Sequence, residues 1–239
     1  MKKIILLPIM MVLLTATCLT AQKFSIPLEG FSKKKTAYFY MEDGSEIKGT
    51  LSGFKRTKGL IETVKMKDLD GEKVKMNPEK IDYMYLAPSN LGKFGAALET
   101  INNVSSWEKE TTIDTTLIKD GYVLFEKVST KVKKKTDDLM LQILNPSFSQ
   151  NIKVYHDPFS KETASVGVGG ITVAGGLDKS YYIKKAADKS AYRLLKKDYK
   201  EQFADVFGDC PELMEKYGDN IKWNEFETHI YEYTQLMKK

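Results

Sequence analysis

The two histidines are the side chains of this sequence best suited to acid–base or metal chemistry. His229 stands between Glu225 and Glu232 at helical spacing, so one helix surface would carry all three groups and could hold a cation. A solvated helix flank beside an apolar stripe explains the same spacing without a metal. His156 precedes Asp157 and a proline, which is typical of a turn capped by the aspartate. We therefore predict no catalytic residue, no metal site and no cofactor. An enzyme of unrecognised type, with a site near His156 or His229, stays as the alternative.

A glycine-rich segment, residues 166–176, raises the question of nucleotide binding. Gly167, Gly169 and Gly170 leave Thr172 where a dinucleotide-binding fingerprint requires its third glycine, and no Gly-Lys-Ser/Thr sequence closes a phosphate loop. Glycines at this density favour a packed hairpin or a bend in a sheet. The alternative is an exposed apolar loop that contacts a partner or a lipid.

Four tyrosines are the candidate ligand-binding residues. Tyr38 and Tyr40 fall in one predicted strand, and Tyr83 and Tyr85 fall in another. Tyrosine combines a large apolar ring with a hydroxyl group, which suits it to surfaces that contact a partner. We expect some of these rings to be exposed and to bind a protein or a glycan, and the others to fill the core.

The charge pattern argues against one class of partner. The formal charge is +5, and the lysine clusters lie close to acidic residues that offset their field. A nucleic-acid-binding surface would favour arginine with interleaved aromatic residues, but arginine is scarce here, with Arg56 and Arg193 the clearest positions. We predict no nucleic-acid partner. Peripheral contact with anionic lipid headgroups or phosphorylated envelope sugars stays as a hypothesis.

The first 21 residues have the layout of a secretory signal peptide. Two lysines precede an apolar run over residues 4–14, and small residues lead to a cleavage site after Ala21. The run is shorter than the ~20 residues that span a bilayer. The Thr-Ala-Gln junction resembles export signals of Gram-negative bacteria, so we expect a periplasmic or cell-envelope protein. Cys18 marks the alternative, a lipoprotein form lipidated there. Cleavage after Ala21 would leave Cys210 as the single cysteine, expected to be buried.

The stretch YFYMEDGSEIKGTLSGF, residues 38–54, predicts a β-hairpin. Apolar residues alternate on both sides of an Asp43-Gly44 turn. Three more candidate strands follow by residue 86, and five short strands without a helix favour a small closed barrel over residues 36–87.

This hairpin is similar to the first half of the Sm-like barrel, a shape shared with SH3-like domains. The resemblance covers residues 36–86 and implies a second strand that bends at Gly49 or Gly53. It also implies an RNA-contacting loop, but an Asp-x-x-x-Asn pattern is replaced here by Lys-Arg-Thr-Lys-Gly at residues 55–59. A Sm-like nucleic-acid-binding protein is therefore a second alternative, which export would disfavour.

The rest of the chain resembles exported proteins of Gram-negative bacteria and predicts three further parts. A linker helix is expected over residues 88–108, an antiparallel β-rich domain over 109–186, and a helical segment over 187–239 packed on that domain. An apolar stripe predicts the first C-terminal helix, and Asp209-Cys210-Pro211-Glu212 resembles a capping box that begins the next. The stripe consists of Tyr192, Leu195, Tyr199, Phe203 and Val206.

Together these patterns predict an α+β protein with a small N-terminal β-barrel, an antiparallel β-rich middle and C-terminal helices. They favour an exported, non-enzymatic binding or scaffold protein of the cell envelope.

Overall fold

The computed structural model describes residues 24–89, 113–132, 135–160, 166–168, 171–174 and 178–238, and it confirms the α+β class. The described residues form twelve strands and four α-helices. The strands are β1 Thr36–Met41, β2 Glu46–Thr57, β3 Leu60–Asp68, β4 Lys73–Met76, β5 Ile81–Leu86, β6 Val123–Val132, β7 Lys135–Gln142, β8 Ile152–His156, β9 Val166–Val168, β10 Ile171–Ala174, β11 Ser180–Lys185 and β12 Ala191–Leu195. The helices are α1 Thr115–Lys119, α2 Tyr199–Phe207, α3 Pro211–Tyr217 and α4 Phe226–Leu236.

Ten of these strands belong to one sheet, in the order β4-β3-β2-β1-β5-β6-β12-β11-β8, with β7 also paired to β6. The pairs are antiparallel except β6 with β12, which is parallel. The other two strands, β9 and β10, pair with each other in antiparallel fashion within the glycine-rich segment.

The predicted N-terminal hairpin is confirmed. The side chain of Asp43 accepts a hydrogen bond from the backbone of Ser45 at 3.0 Å, and β1 pairs with β2 across this turn. Further along β2 the pairing with β3 shifts register between Leu51 and Gly53, where Gly53 has φ +149°. Gly53, one of the two positions at which a bend is expected, therefore lies at a β-bulge, an irregularity that bends its strand.

The closed barrel predicted over residues 36–87 is wrong. Strand β5 pairs with β1 on one side and with β6 on the other, so the first five strands are one half of a longer open sheet. The outermost strand, β4, pairs with β3 and carries Lys73 and Lys75 exposed. A short strand with exposed lysines is a common way to protect a sheet edge from pairing with another chain.

The C-terminal helices cover the β8–β11 end of the sheet. Phe203, Phe226 and Ile230 from the helices share one buried cluster with Tyr181 and Ile183 from β11. Cys210 is buried in the same cluster, which confirms the expectation for this cysteine.

Two details of the helical prediction are wrong. Tyr192 and Leu195 lie in β12, which pairs with β11, so the first of these helices begins only at Tyr199. The capping box is also not formed, since the N-cap of α3 is Cys210 without a side-chain bond. The carboxylate of Asp209 is instead 2.7 Å from the ammonium of Lys185.

Several predictions lie outside the described residues. These are the signal peptide, Cys18 and nearly all of the linker helix over residues 88–108. Among the helices that the structure does describe, none has the length and apolar character needed to cross a membrane.

Candidate binding site

The predicted tyrosines come together on one face of the sheet. Strands β1 and β5 are antiparallel neighbours whose register pairs Tyr38 with Tyr85 and Tyr40 with Tyr83. The rings of Tyr40 and Tyr83 stack with centroids 4.4 Å apart and an interplanar angle of 16°. Tyr122 adds a fifth ring, edge-on to Tyr38 at 5.8 Å. We call the partly exposed rings of Tyr38, Tyr40, Tyr83 and Tyr122 the tyrosine surface.

Tyr85 lies beneath this surface. Its side chain is 1 % exposed, and its ring meets Tyr40 and Tyr83 edge-on. The hydroxyl oxygen accepts a hydrogen bond from the backbone N–H of Asp114 at 2.7 Å, which holds the start of α1 against the sheet. Burial raises the pKa of Tyr85 to about 12. Of the four predicted tyrosines, this one fills the core.

The stacked rings of Tyr40 and Tyr83 carry no charge at ordinary pH. Burial raises the pKa of Tyr40, and so does a hydrogen bond to Glu46, its cross-strand neighbour. Burial also raises the pKa of Tyr83, with the nearby Asp82 carboxylate as the next cause. Both phenols therefore keep their protons, and the tyrosine surface offers apolar rings beside carboxylates.

Two lysines lie over the edges of the tyrosine surface. The ammonium of Lys48 is 5.7 Å from the ring centroid of Tyr38, and that of Lys35 is 5.8 Å from Tyr122. At exposed sites such cation–π contacts stabilise by about 0.5–1 kcal/mol.

A cleft of about 460 Å³ adjoins the tyrosine surface. Strand β6 places Glu126 directly opposite Tyr83, and both side chains line the cleft. Other lining residues come from β8, β11 and the turn before β8. We call this space the junction cleft, and its main lining residues are Tyr83, Glu126, Gln150, Lys153, Tyr155 and Lys184.

The junction cleft lies where the two halves of the sheet meet. Only two residue pairs join β6 to β12, Ala191 with Thr130 and Tyr192 with Lys131. Across the cleft the ammonium of Lys153 lies 2.7 and 2.9 Å from the two carboxylate oxygens of Glu126. This ion pair links β6 to β8 without a shared strand pairing.

Tyr155 completes the contacts of Glu126. The hydroxyl group of Tyr155 donates to one carboxylate oxygen of Glu126 at 2.9 Å. Burial is the main cause that raises the pKa of Tyr155, and the Glu126 carboxylate is the next. Glu126 is therefore held by a cation and a neutral donor together. Such charge-assisted contacts fix the geometry of a partly buried carboxylate.

His229 is not the solvated group that the sequence predicts. It is fully buried on α4, with Nδ1 2.5 Å from the hydroxyl oxygen of Tyr199 and Nε2 3.8 Å from Glu225. Burial lowers its pKa to about 4. Glu232 turns away to Lys216 and the hydroxyl of Tyr217. Within the described residues, no group of three or more His, Cys, Asp or Glu side chains is arranged to hold a metal ion.

The turn after His156 is capped as predicted. Asp157 accepts a hydrogen bond from the backbone of Phe159 at 2.9 Å. Asp157 is also fully buried, and its carboxylate accepts hydrogen bonds from Arg193 and Ser180, both at 2.5 Å. No pattern in the sequence predicted these two partners. His156 itself has Nδ1 3.5 Å from a carboxylate oxygen of Asp178, without a hydrogen bond among the described residues.

The protein therefore has an α+β fold whose sheet carries an aromatic surface beside a charged cleft. Comparison with known proteins adds no relative, because no protein-family model, no curated protein and no solved structure matches the chain.

Proposed function

We propose that this chain is an exported, non-enzymatic binding protein of the bacterial cell envelope. Its tyrosine surface binds an envelope partner, either a glycan or a protein. The observation that carries the proposal is the stacked, partly exposed pair of Tyr40 and Tyr83, two neutral rings flanked by carboxylates. Rigid aromatic side chains supply much contact area for little loss of side-chain freedom, so they dominate many binding surfaces.

The two histidines favour binding over catalysis. His229 is fully buried and so has no access to a substrate. His156 does not line the clefts at the sheet junction, beside Phe31 and Phe54, or between Leu60 and Phe159. An acid or base that acts on a substrate must come within hydrogen-bond reach of it. We therefore rank the enzyme alternative second.

The double substitution Tyr40→Ala with Tyr83→Ala tests the tyrosine surface. We expect it to weaken binding to purified envelope material by tenfold or more, since each lost ring contact contributes about 0.5–1.5 kcal/mol beyond its area. Cosedimentation of the purified mature chain with cell-wall and outer-membrane fractions measures this. The matched control is Tyr231→Ala, which removes a partly exposed tyrosine of α4 whose ring contacts that of Phe148.

Circular dichroism must show that both variants remain folded. Unchanged cosedimentation of the folded double variant would contradict the proposal. The export part is tested separately by the mass of the mature N-terminus and by cell fractionation. A full-length, unprocessed chain in the cytoplasmic fraction would contradict the export part of the proposal.

A further inference from the structure

The tyrosine surface and the junction cleft lie on one continuous face of the sheet. Tyr83 belongs to both, and its cross-strand neighbour Glu126 is bonded to Lys153 and Tyr155 of β8. Strand β11 pairs Lys184 with Lys153, so side-chain alternation places Lys184 on this face too. A ligand that contacts the rings of Tyr40 and Tyr83 can therefore extend into the cleft.

The charged side chains of the cleft leave one cation available. Six of its lining residues are charged, and lysines outnumber acids by four to two. Three of these lysines have carboxylate partners: Lys127 with Glu42, Lys153 with Glu126, and Lys185 with Asp209. The fourth, Lys184, is partly exposed and forms no ion pair with any described residue. Its ammonium group is free to bind an anion.

The other lining groups suit a ligand rich in hydroxyl groups. Asp82 and Glu126 provide carboxylate oxygens, and Gln150 and Ser149 provide an amide and a hydroxyl. Carboxylates accept hydrogen bonds and donate none, so their partners must be donors. The volume of about 460 Å³ falls within the ~300–1,000 Å³ typical of small-molecule sites. An apolar lipid chain would leave these polar groups without partners, which disfavours it.

We propose that the junction cleft binds an anionic sugar residue, a pyranose ring that carries a carboxylate or a phosphate group. The apolar face of the sugar ring lies against Tyr83 and Tyr40, its hydroxyls donate to Glu126 and Asp82, and its anionic group binds the ammonium of Lys184. This inference rests on the proposed function and names the partner of the same surface. Anionic saccharides of an envelope glycan present this combination of groups.

Isothermal titration of the mature chain with four probes tests the inference: glucose, glucuronate, glucose 6-phosphate and inorganic phosphate. We expect both anionic sugars to bind at least tenfold more tightly than glucose at low salt. This preference should shrink as the salt concentration rises, because salt screens a partly exposed charge pair. Equal affinity for glucose and the anionic sugars would overturn the inference.

Single substitutions show which residues produce the preference for anionic sugars over glucose. Lys184→Gln should reduce the affinity for the anionic sugars to that for glucose, and Lys184→Arg should keep most of the preference. The matched control is Lys200→Gln, an exposed lysine of α2 outside the cleft, which should change nothing. Tyr83→Ala should weaken the binding of all three sugars, with its fold checked by circular dichroism. Full preference in Lys184→Gln would overturn the inference.

Two outcomes separate this inference from the proposed function. If inorganic phosphate binds as tightly as glucose 6-phosphate and Tyr83→Ala has no effect on either, the cleft binds a bare anion and the sugar proposal is wrong. If the Tyr40→Ala/Tyr83→Ala variant loses envelope binding while no anionic preference exists, the proposed function stands and only the inference falls.

Discussion

At the scale of single residues, His229 is an imidazole kept neutral by the aromatic side chains around it. Its ring lies 4.1 Å from that of Tyr217 and 5.2 Å from that of Phe203. Burial lowers its pKa to about 4, against an ordinary value of about 6.5. The nearby Glu232 opposes this shift, but its charge is shared with Lys216. Protonation therefore opposes folding at this position.

The free energy of unfolding should fall as the pH drops from about 6.5 towards 4. In this window the unfolded chain binds a proton on His229 and the folded chain does not, so stability rises with pH by at most about 1.4 kcal/mol per pH unit. Below pH 4 both states are protonated and this contribution ends. Urea denaturation between pH 7 and pH 5 measures the slope while carboxyl groups with ordinary pKa values stay ionised.

His229→Asn removes the titrating group while its amide can still bond to the hydroxyl of Tyr199. We expect the variant to be less stable overall, because a smaller side chain leaves a cavity, but to lose most of the slope. His156→Asn is the control, since this histidine is partly exposed. The same slope in His229→Asn as in the wild type would show that other groups produce it.

Residues that share a strand could be predicted from the sequence, and contacts between distant segments could not. Alternation places Tyr38 and Tyr40 on one face of β1, and it places Tyr83 and Tyr85 on one face of β5. The pairing of β1 with β5 brings the four together, and the sequence does not predict it. The same holds for the partners of Glu126 and Asp157, because Lys153 lies 27 residues from Glu126 and Arg193 lies 36 residues from Asp157. Such pairs depend on which strands become neighbours, and no local pattern specifies that.

At the scale of elements, strands β2 and β3 pack so closely at Gly49 that there is no room for a side chain at this position. A Cβ atom added there would overlap the backbone carbonyl of Lys67 and the side chain of Met66. We expect Gly49→Ala to destabilise the protein by about 1–3 kcal/mol, since an overpacked site must shift strands to relieve the overlap. The denaturation midpoint measures this change.

Gly30→Ala is the matched control for that substitution. A Cβ at Gly30 would lie 3.2 Å from the hydroxyl oxygen of Ser89, a much longer distance than the 2.1 Å to the carbonyl oxygen of Lys67 at Gly49. Its effect should stay within about 0.5 kcal/mol. Equal midpoints for the two variants would mean that the strands separate easily at Gly49.

The sequence predicted the strands of the N-terminal half correctly but their closure into a barrel wrongly, for a reason visible in β5. Alternation reports which face of a strand is buried, not whether its edge pairs with a second neighbour. In β5 the last three residues, Met84, Tyr85 and Leu86, are all buried, as is typical of a strand covered on both faces. A run of this kind is the available signal that β5 lies inside a larger sheet.

At the scale of the whole molecule, the N-terminal strands share their core with the middle of the chain. The buried cluster that contains Phe39 and Met84 also contains Val123 and Phe125 from β6 and Met140 from β7. Phe125 packs against Phe31 at 5.8 Å and Phe54 at 6.5 Å. The first five strands alone would therefore expose an unpaired edge on β5 and lose part of their core.

This shared core predicts how the protein unfolds. The chain from residue 24 onward should unfold in one cooperative transition, whereas a fragment of residues 24–89 should show none, because strand pairing and apolar burial would both be incomplete. In the longer chain, Phe125→Ala should destabilise the whole transition by about 3–5 kcal/mol, as expected for a buried phenylalanine. Urea denaturation followed by circular dichroism measures both. A fragment that unfolds cooperatively, together with two separate transitions in the longer chain, would support the independent barrel that the Sm-like resemblance implies.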